Sequence, residues 1–186
     1  MSVKDCARTA LTEIGEVVER LDDAHIRAAC ERIVAARHVM VYGCGREGLM
    51  MRALAMRLYH LGLDATVVGD MRCPPLGPGD LLVVSAGPGH FSTVAALVGV
   101  AGEAGARTAC VTAQPGGAVP EAADIVLHLP AQTMADDTGA AATSVLPMGS
   151  LYEGVQYVAF EVLVLLLREK SGETAATMRD RHTNLE

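Results

Sequence analysis

Three glycine-rich segments follow predicted strands, and their residue types suit the binding of a small polar ligand. The segments are GCGREG at 43–48, AGPGHFST at 86–93 and TAQPGGAVP at 112–120. Glycines at the start of a helix leave backbone N–H groups uncovered, so a ligand can approach them closely. The carboxyl ends of parallel strands meet at one edge of a sheet. We therefore expect these loops to form a single binding site.

The first loop also has the spacing of a dinucleotide-binding loop. Gly43, Gly45 and Gly48 satisfy G-x-G-x-x-G, and Asp70 stands about where an acidic residue would bind the ribose of NAD. Against this interpretation, the chain has only five predicted strands and no separate substrate domain. The second glycine-rich loop would also have no role in such a site. NAD is therefore the less favoured ligand.

The length and the charge of the chain favour a single domain that does not bind nucleic acid. The chain has 186 residues, of which 51% are hydrophobic, with no tryptophan and only two phenylalanines. A chain of this length is most economically one domain, and small apolar residues suit packed layers of helix and sheet. The formal net charge of −7 and the absence of a basic patch argue against nucleic acid as a partner.

The cysteines and acidic residues do not form a metal-binding pattern. The chain has no C-x-x-C pair, and its His, Asp and Glu residues lack the spacing of metal ligands, so we expect neither a metal nor a disulfide framework. Free thiols in a reducing cytoplasm are the simpler interpretation. The five cysteines are Cys6, Cys30, Cys44, Cys73 and Cys110.

Neither end of the chain predicts a membrane or secretory segment. The N-terminal residues lack the apolar core of a signal peptide. The longest apolar run, 158–167, contains Glu161 and is too short to span a bilayer. These features predict a soluble, cytoplasmic protein with no membrane partner.

Apolar runs alternate with helical patterns, which predicts an α/β fold whose parallel sheet is covered on both sides. Asp22 or Asp23 is expected to cap the second of two N-terminal helices. The polar loop 131–149 is long enough to be functional or mobile. The five predicted strands are 38–42, 65–69, 80–86, 106–113 and 124–130.

A long helix follows the polar loop and is apolar on most of its faces. Such a helix in a chain of this size predicts packing against other subunits, so we expect a homo-oligomer, a tetramer or dimer. The sequence thus predicts one domain over 1–186, with N-terminal helices at 1–36, a β/α core at 38–130 and C-terminal helices at 150–186.

The order of these motifs resembles the sugar isomerase (SIS) domains, and most of all the 6-phospho-3-hexuloisomerases. LPMGSLYE at 146–153 and the tail RHTNLE at 181–186 match the distinctive C-terminal pieces of that family. The resemblance implies a flavodoxin-like, five-stranded parallel sheet of order 2-1-3-4-5, flanked by helices and assembled as a tetramer. It also implies the interconversion of a 3-keto hexose 6-phosphate with fructose 6-phosphate, without a metal or organic cofactor.

The resemblance also implies catalytic roles for three residues. An enediol route needs a base that moves a proton between neighbouring carbons, and Glu153 matches the general base of the family. His182 matches the tail histidine, which is expected to reach an active site, that of a neighbouring subunit included. His60 is a second helper, although a histidine near a helix C-terminus is also favoured there on charge alone.

The two phosphate-binding loops depart from the family pattern. The family has GAGRSG where this chain has Glu47 in place of the serine, and SGSGET where it has Ala86, Pro88 and Phe91 in place of hydroxyl residues. Proline also removes a backbone donor. A carboxylate and the loss of donors oppose phosphate recognition, and the sequence leaves the phosphate in doubt.

The sequence leaves alternatives for the polar contacts around Glu47. Glu47 is expected either to pair with His90 across the pocket, or to pair with Arg46 or Arg52 and close the site. Ser92, with Thr93 beside it, is either a replacement hydroxyl or a helix N-cap. The expected substrate-binding residues are Gly43, Gly45, Arg46, Glu47, Ser85, Gly87, Gly89, His90, Ser92 and Thr112.

Three hypotheses for the function follow. The preferred one is a sugar or sugar-phosphate isomerase that acts through an enediol. The second is a non-catalytic SIS domain that binds a small carbohydrate-like ligand. The third is an isomerase whose substrate carries no phosphate.

Overall fold

Five short strands form one parallel sheet in the computed structural model, which describes residues 2–185. The strand order is β2-β1-β3-β4-β5, as predicted. The order reverses between β1 and β3, and a sheet of this type opens a crevice at the carboxyl ends of such strands. The strands are β1 Val39–Gly43, β2 Ala65–Val67, β3 Leu81–Ser85, β4 Arg107–Thr112 and β5 Ile125–His128.

Helices cover both faces of this sheet. Asp22 caps α2, because its side chain accepts a hydrogen bond from the Ala24 N–H at 2.8 Å, and one of the two predicted caps is thus confirmed. Strand β2 is shorter than predicted, since the chain turns at Gly69 with φ +96°. The helices are α1 Val3–Val18, α2 Asp23–Ala35, α3 Gly45–His60, α4 Ser92–Glu103, α5 Ala118–Ala122, α6 Ser150–Ser171 and α7 Ala175–Asp180, with a 3-10 turn at Gly139–Ala141.

The central strands are buried on both faces, which explains their continuous apolar sequence. In β3, Leu81 and Val83 face the larger core, which is formed with α2, α3 and α6. Leu82 and Val84 face the smaller core under α4 and α5. The larger core thus positions α3 and α6, the two helices that reach the crevice.

Helix α6 has 22 residues and is long and apolar enough to cross a membrane by length and composition alone. The apolar run 158–167 is expected to be too short to span a bilayer, and for the whole helix that expectation is wrong. More than half of its most apolar stretch is buried inside the fold, as in the core helix of a soluble protein. Tyr157 and Leu165 remain exposed, so the helix is not buried on every face within one chain.

An ion pair ties β1 to β3 at the end of the sheet opposite the crevice. Arg37 precedes β1 and donates from Nε and Nη2 to the two carboxylate oxygens of Asp80, at 2.9 and 2.8 Å. The Gly77 N–H also donates to Asp80 at 2.9 Å. The Asp80 side chain is 1% exposed, whereas that of Arg37 is 70% exposed. The Arg37 guanidinium holds the pKa of the Asp80 carboxyl below its usual value.

Asp80→Asn is expected to lower the free energy of unfolding at pH 7 by about 2 kcal/mol, because hydrogen bonds to a charged group are weakened while the exposed Arg37 is resolvated. A lowered pKa means that this stabilisation is complete above the unfolded pKa of about 3.9 and is lost as the pH falls through the folded pKa. Urea unfolding from pH 7 to pH 3 checks this. A difference between wild type and variant that stays constant over that range would contradict the assignment.

Glycines allow α3 to begin directly against the end of β1. A Cβ at Gly48 would overlap the carbonyl oxygen of Gly43, and a Cβ at Gly43 would lie 3.0 Å from the Gly48 nitrogen. The first turn of α3 therefore lies on the strand backbone itself. This contact fixes the direction in which the next side chains of the helix point.

Gly48→Ala is expected to destabilise the fold by about 1–3 kcal/mol, because the added methyl group forces the helix away from the strand. Gly99→Ala is the matched control, since Gly99 lies within α4 with nothing within 4 Å of an added Cβ. That change is expected to stabilise by up to about 1 kcal/mol through helix propensity. Thermal unfolding of both variants checks the opposite signs, and equal effects would refute the close contact.

Candidate functional site

A pocket of about 360 Å³ opens at the carboxyl ends of β1 and β3, where the strand order reverses. Its volume is in the range of sites for small ligands. Helix α3 contributes its first turn, α6 contributes its first turn, and the loop 131–149 covers the top. The lining residues are Cys44, Gly45, Arg46, Glu47, Pro88, Phe91, Thr133, Met134, Pro147, Met148, Gly149, Ser150, Tyr152 and Glu153.

The carboxylate of Glu47 lies at the inner end of the pocket. Glu47 is 8% exposed, and it comes from the first turn of α3. Its Oε2 accepts hydrogen bonds from the Ser85 hydroxyl at 2.5 Å and from the Gly87 N–H at 3.0 Å. A Cβ at Gly87 would lie 2.8 Å from Glu47 Oε1, so the missing side chain at Gly87 leaves the space that the carboxylate fills.

A chain of buried donors supports this carboxylate from below. Ser85 is fully buried, and because its one hydroxyl proton goes to Glu47, its oxygen accepts from its other neighbours. Those neighbours are the Gln156 amide at 2.9 Å and the Tyr152 hydroxyl at 3.3 Å. Tyr152 and Gln156 are one turn apart on α6 and face the same side. Tyr152 and Gln156 thus donate to Ser85, and Ser85 donates to Glu47.

Burial dominates the ionisation of this cluster. It raises the pKa of the Glu47 carboxyl, an effect that Ser85 and Gly87 reduce and that the nearby Glu153 charge increases. Burial also raises the pKa of Tyr152 well above its usual value, and that of the Cys110 thiol to about 12. Tyr152 and Cys110 are therefore neutral at pH 7. Both lie close to the Glu47 carboxyl, which accepts hydrogen bonds from Ser85 and Gly87.

Glu153 lies in the first turn of α6, on the wall of the pocket. Its Oε2 accepts a hydrogen bond from Arg46 Nε at 2.8 Å. The Glu153 side chain is 12% exposed and that of Arg46 is 65% exposed. Among the hydrogen bonds of residues 2–185, none reaches Oε1 of Glu153 from another side chain. The ion pair thus holds the carboxylate by one oxygen and leaves the other toward the pocket.

The loop 131–149 is attached to α1 near its C-terminal end. The Ser144 hydroxyl and the Val145 N–H donate to Glu13 of α1, at 2.5 and 3.0 Å. Met148 and Gly149 both have left-handed φ values, +55° and +77°, which turn the chain into α6. A side chain at Gly149 would overlap the Met134 nitrogen. The loop that the sequence predicts to be functional or mobile thus covers the pocket.

The structure brings together only part of the expected binding set. Gly45, Arg46, Glu47 and Glu153 line the pocket. Ser85 and Gly87 lie beneath it, bound to Glu47.

Three expected binding residues instead hold the loops in place. Gly43 is in contact with Gly48, and Gly89, with φ +83°, is in contact with Gly117. The Thr112 hydroxyl donates to the Ala86 carbonyl at 2.7 Å. None of the three lines the pocket in the part of the chain that the structure describes. The two glycines allow close backbone contacts, and the threonine hydroxyl bonds to a neighbouring loop.

The expected partners of Glu47 are wrong. His90 is exposed and does not line the pocket, so it does not pair with Glu47. Arg46 pairs with Glu153, and Arg52 lies 3.5 Å from Asp70. The alternative, an ion pair between Glu47 and an arginine that closes the site, is therefore also wrong. The buried Ser85 hydroxyl and the Gly87 N–H bind the Glu47 carboxylate instead.

The expected N-cap at the second loop is also wrong. Ser92 is exposed, lies at the first position of α4 and does not line the pocket. The N-cap is Phe91, which makes no side-chain capping hydrogen bond. Phe91 instead contributes an aromatic wall to the pocket.

His60 and His182 lie together at the other end of α3. Their rings stack with centroids 5.4 Å apart. Arg181 fixes the tail there, because its Nη1 donates to the His60 carbonyl at 2.9 Å and it pairs with Glu173. From Gly45 to His60 the helix rises about 22 Å. Within one chain, neither histidine reaches the pocket.

Sequence reasoning missed the buried network and most of the roof. Tyr152 and Gln156 stand one and three residues from Glu153, and a helical projection of α6 places them on one face. That projection was the available signal. Met134 and Met148 had none, because their position depends on how the loop folds back. Among residues 2–185, no group of three His, Cys, Asp or Glu is placed to hold a metal ion.

Comparison with known proteins agrees with this architecture. The family model of the SIS domain matches residues 32–166. The chain is 31% identical to the 3-hexulose-6-phosphate isomerase of Bacillus subtilis over 180 residues, covering 91% of this chain and 97% of that protein. It is 34% identical to the 3-hexulose-6-phosphate isomerase of Mycobacterium gastri over 174 residues, covering 94% and 86%.

A solved structure shares the fold along nearly the whole chain. It is the crystal structure of a hypothetical protein from Methanococcus jannaschii, from which a molecular function of 3-hexulose-6-phosphate isomerase was inferred. Its TM-score is 0.84 at 23% identity, and the match covers 97% of this chain and 98% of that one. The five-stranded sheet, the crevice and the family match lead to one conclusion: the chain belongs to the SIS domain family.

Proposed function

We propose that the protein is an isomerase of sugars or sugar phosphates, which moves a ketose carbonyl between neighbouring carbons through an enediol. The observation that carries the proposal is the Glu153 carboxylate, held on the pocket wall by Arg46. Relatives named 3-hexulose-6-phosphate isomerase, at 31% and 34% identity, support the same class of reaction.

Glu153 is the base of the proposed reaction. Its Oε1 takes the proton from the carbon that bears a hydroxyl group beside the carbonyl, which gives an enediolate. The proton of that hydroxyl group passes to the former carbonyl oxygen, and Glu153 returns its own proton to the former carbonyl carbon. A carboxylate suits this step because it acts as base and then as acid in the same geometry. The Arg46 contact at Oε2 restricts the rotation of the carboxylate. Glu153 is then preorganised for transfer at its second oxygen.

The first turn of α3 stabilises the negative charge of the enediolate. Its N-cap, Cys44, makes no side-chain capping bond, and the first N–H groups of a helix have no partner within it. Gly45 and Arg46 present these groups at the pocket, and the Arg46 guanidinium adds a positive charge. Donors aimed at a developing oxyanion are an effective source of rate enhancement.

We further infer that the protein is cytoplasmic and works as an assembly of identical chains. Leu49, Met56 and Tyr59 share one face of α3 and are each more than half exposed, and Tyr157 and Leu165 are similarly exposed on α6. Apolar side chains on two adjacent helices favour contact with another copy. The five free cysteines are consistent with a reducing compartment.

Glu153→Gln is expected to reduce carbon–hydrogen exchange at least about 100-fold, because the amide keeps the shape of the base but cannot take a proton. Fructose 6-phosphate and fructose are each incubated with the protein in deuterated water, and loss of the C3 proton signal is followed by NMR. Glu161→Gln is the matched control, since it changes the same charge on α6, where Glu161 pairs with Arg57.

The two variants separate the hypotheses. Exchange in wild type and in Glu161→Gln but not in Glu153→Gln supports the isomerase. Exchange that survives in Glu153→Gln rejects Glu153 as the base. Binding of a sugar without any exchange in wild type would instead favour a non-catalytic binding domain.

His182 is expected to act in the site of another copy, because within one chain it lies at the far end of α3 from Glu153. Preparations of His182→Ala and Glu153→Gln are each expected to be impaired. Co-expressed with two affinity tags and purified by both, they are expected to regain roughly half of wild-type exchange in a dimer and roughly a quarter in a tetramer, since mixed assemblies contain intact shared sites. No recovery in the mixed assembly would place His182 outside the catalytic site.

A further inference from the structure

The inner end of the pocket is built around an acceptor, and this polarity decides which end group of a ligand fits there. Glu47 is more than nine-tenths buried, yet its carboxylate lines the pocket. Its Oε2 is fully engaged by Ser85 and Gly87. Among the hydrogen bonds of residues 2–185, none is made to its Oε1. Oε1 thus keeps open hydrogen-bonding capacity in a residue that lines the cavity.

At residues 85–89, the donors that an anion would need are already used. The Ser85 hydroxyl and the Gly87 N–H both donate to Glu47. Pro88 has no N–H, and the Gly89 N–H donates to the Ala86 carbonyl at 2.8 Å. Phe91 and Pro88 present apolar surface on the same wall. Residues 85–89 therefore offer their donors to Glu47 and to the loop backbone rather than to a ligand.

Charge at the inner end opposes a second anion. The positive group of the pocket, Arg46, is paired with Glu153. The groups that face Glu47 from the other elements are Ser85 of β3 and, from α6, Tyr152 and the Glu153 carboxylate, with the Cys110 thiol of β4 nearby. None of these is a cation. Burial raises the pKa of Glu47, as expected for a carboxylate with no compensating charge.

We propose that Glu47 is a specificity-determining residue, which fills the corner where a phosphate would bind and selects a sugar that presents a hydroxyl or ammonium group there. The proposal rests on the proposed function only in taking this pocket as the substrate site. A hydroxyl or ammonium group donates to Oε1, and its hydrogen bond to a buried carboxylate is of the strong, charge-assisted type. A phosphate group would instead lie against a carboxyl group that already engages the neighbouring donors of Ser85 and Gly87.

Binding of inorganic phosphate tests the proposal without any activity. Calorimetric titration of wild type at pH 7 is expected to show no saturable binding, and Glu47→Ser and Glu47→Gln are expected to gain at least about ten-fold in affinity. The serine variant releases the donors of Ser85 and Gly87, and the glutamine variant places an NH2 donor where the second carboxylate oxygen lies. Glu47→Gln is nearly isosteric, so it remains informative if the serine variant folds poorly. Glu103→Gln, on the exposed end of α4, is the charge-matched control and is expected to stay like wild type.

Substrate preference is the second readout. The ratio of kcat/KM for fructose to that for fructose 6-phosphate, measured by C3 proton exchange, is expected to fall at least about ten-fold in Glu47→Ser. Titration of wild type with fructose and with glucosamine distinguishes the two donor groups. Tighter binding of glucosamine indicates the ammonium group and tighter binding of fructose the hydroxyl group, and both support the proposal.

The two readouts fail independently. If wild type exchanges no sugar but the Glu47 variants gain phosphate affinity, the proposed isomerase is rejected and the role of Glu47 stands. If wild type binds phosphate as tightly as the variants, or prefers fructose 6-phosphate as strongly as they do, the role of Glu47 is overturned while the isomerase stands.

Discussion

The close contact between the start of α3 and the end of β1 is the constraint on which the site depends. Gly43 and Gly48 let the helix backbone lie directly on the strand. That contact sets the phase of the helix, and the phase directs Glu47 across to β3. Ser85 and Gly87 then meet its carboxylate, and α6 closes the network with Tyr152. A helix displaced by one methyl group would carry the carboxylate away from its donors.

The pocket contains two carboxylates, and the fold treats them differently. Glu153 has a partly exposed position and an arginine partner, which keeps a charged base in place at low cost. Glu47 is buried with only neutral donors, so its charge is expensive unless a ligand shares it. Cavities that carry such an unfavourable charge usually serve a ligand rather than stability.

The sequence predicts the fold and the location of the site better than it predicts the contacts within the site. Alternating apolar runs are sufficient to predict a parallel sheet, and an aspartate is sufficient to predict the cap of α2, because both depend on local chemistry. The strand order follows instead from the resemblance to the SIS domains. The partner of Glu47 depends on the rotation of α3 about its axis, which is decided by tertiary packing. For the same reason the sequence could not tell that Gly43 and Gly89 pack against other glycines rather than against a ligand.

Recognition and proton transfer come from different elements of this fold. The proposed base, Glu153, lies at the start of α6, whereas the inner corner of the pocket is formed by α3 and the loop after β3. Substitutions at positions 47, 86, 88 and 91 therefore change what the corner binds without moving Glu153. Resemblance to the 6-phospho-3-hexuloisomerases at LPMGSLYE, beside two loops that depart from their pattern, is what we expect under our proposals, in which the reaction is kept and the ligand changes. The glycines of GCGREG position the helix, and the glutamate among them determines the polarity of the site.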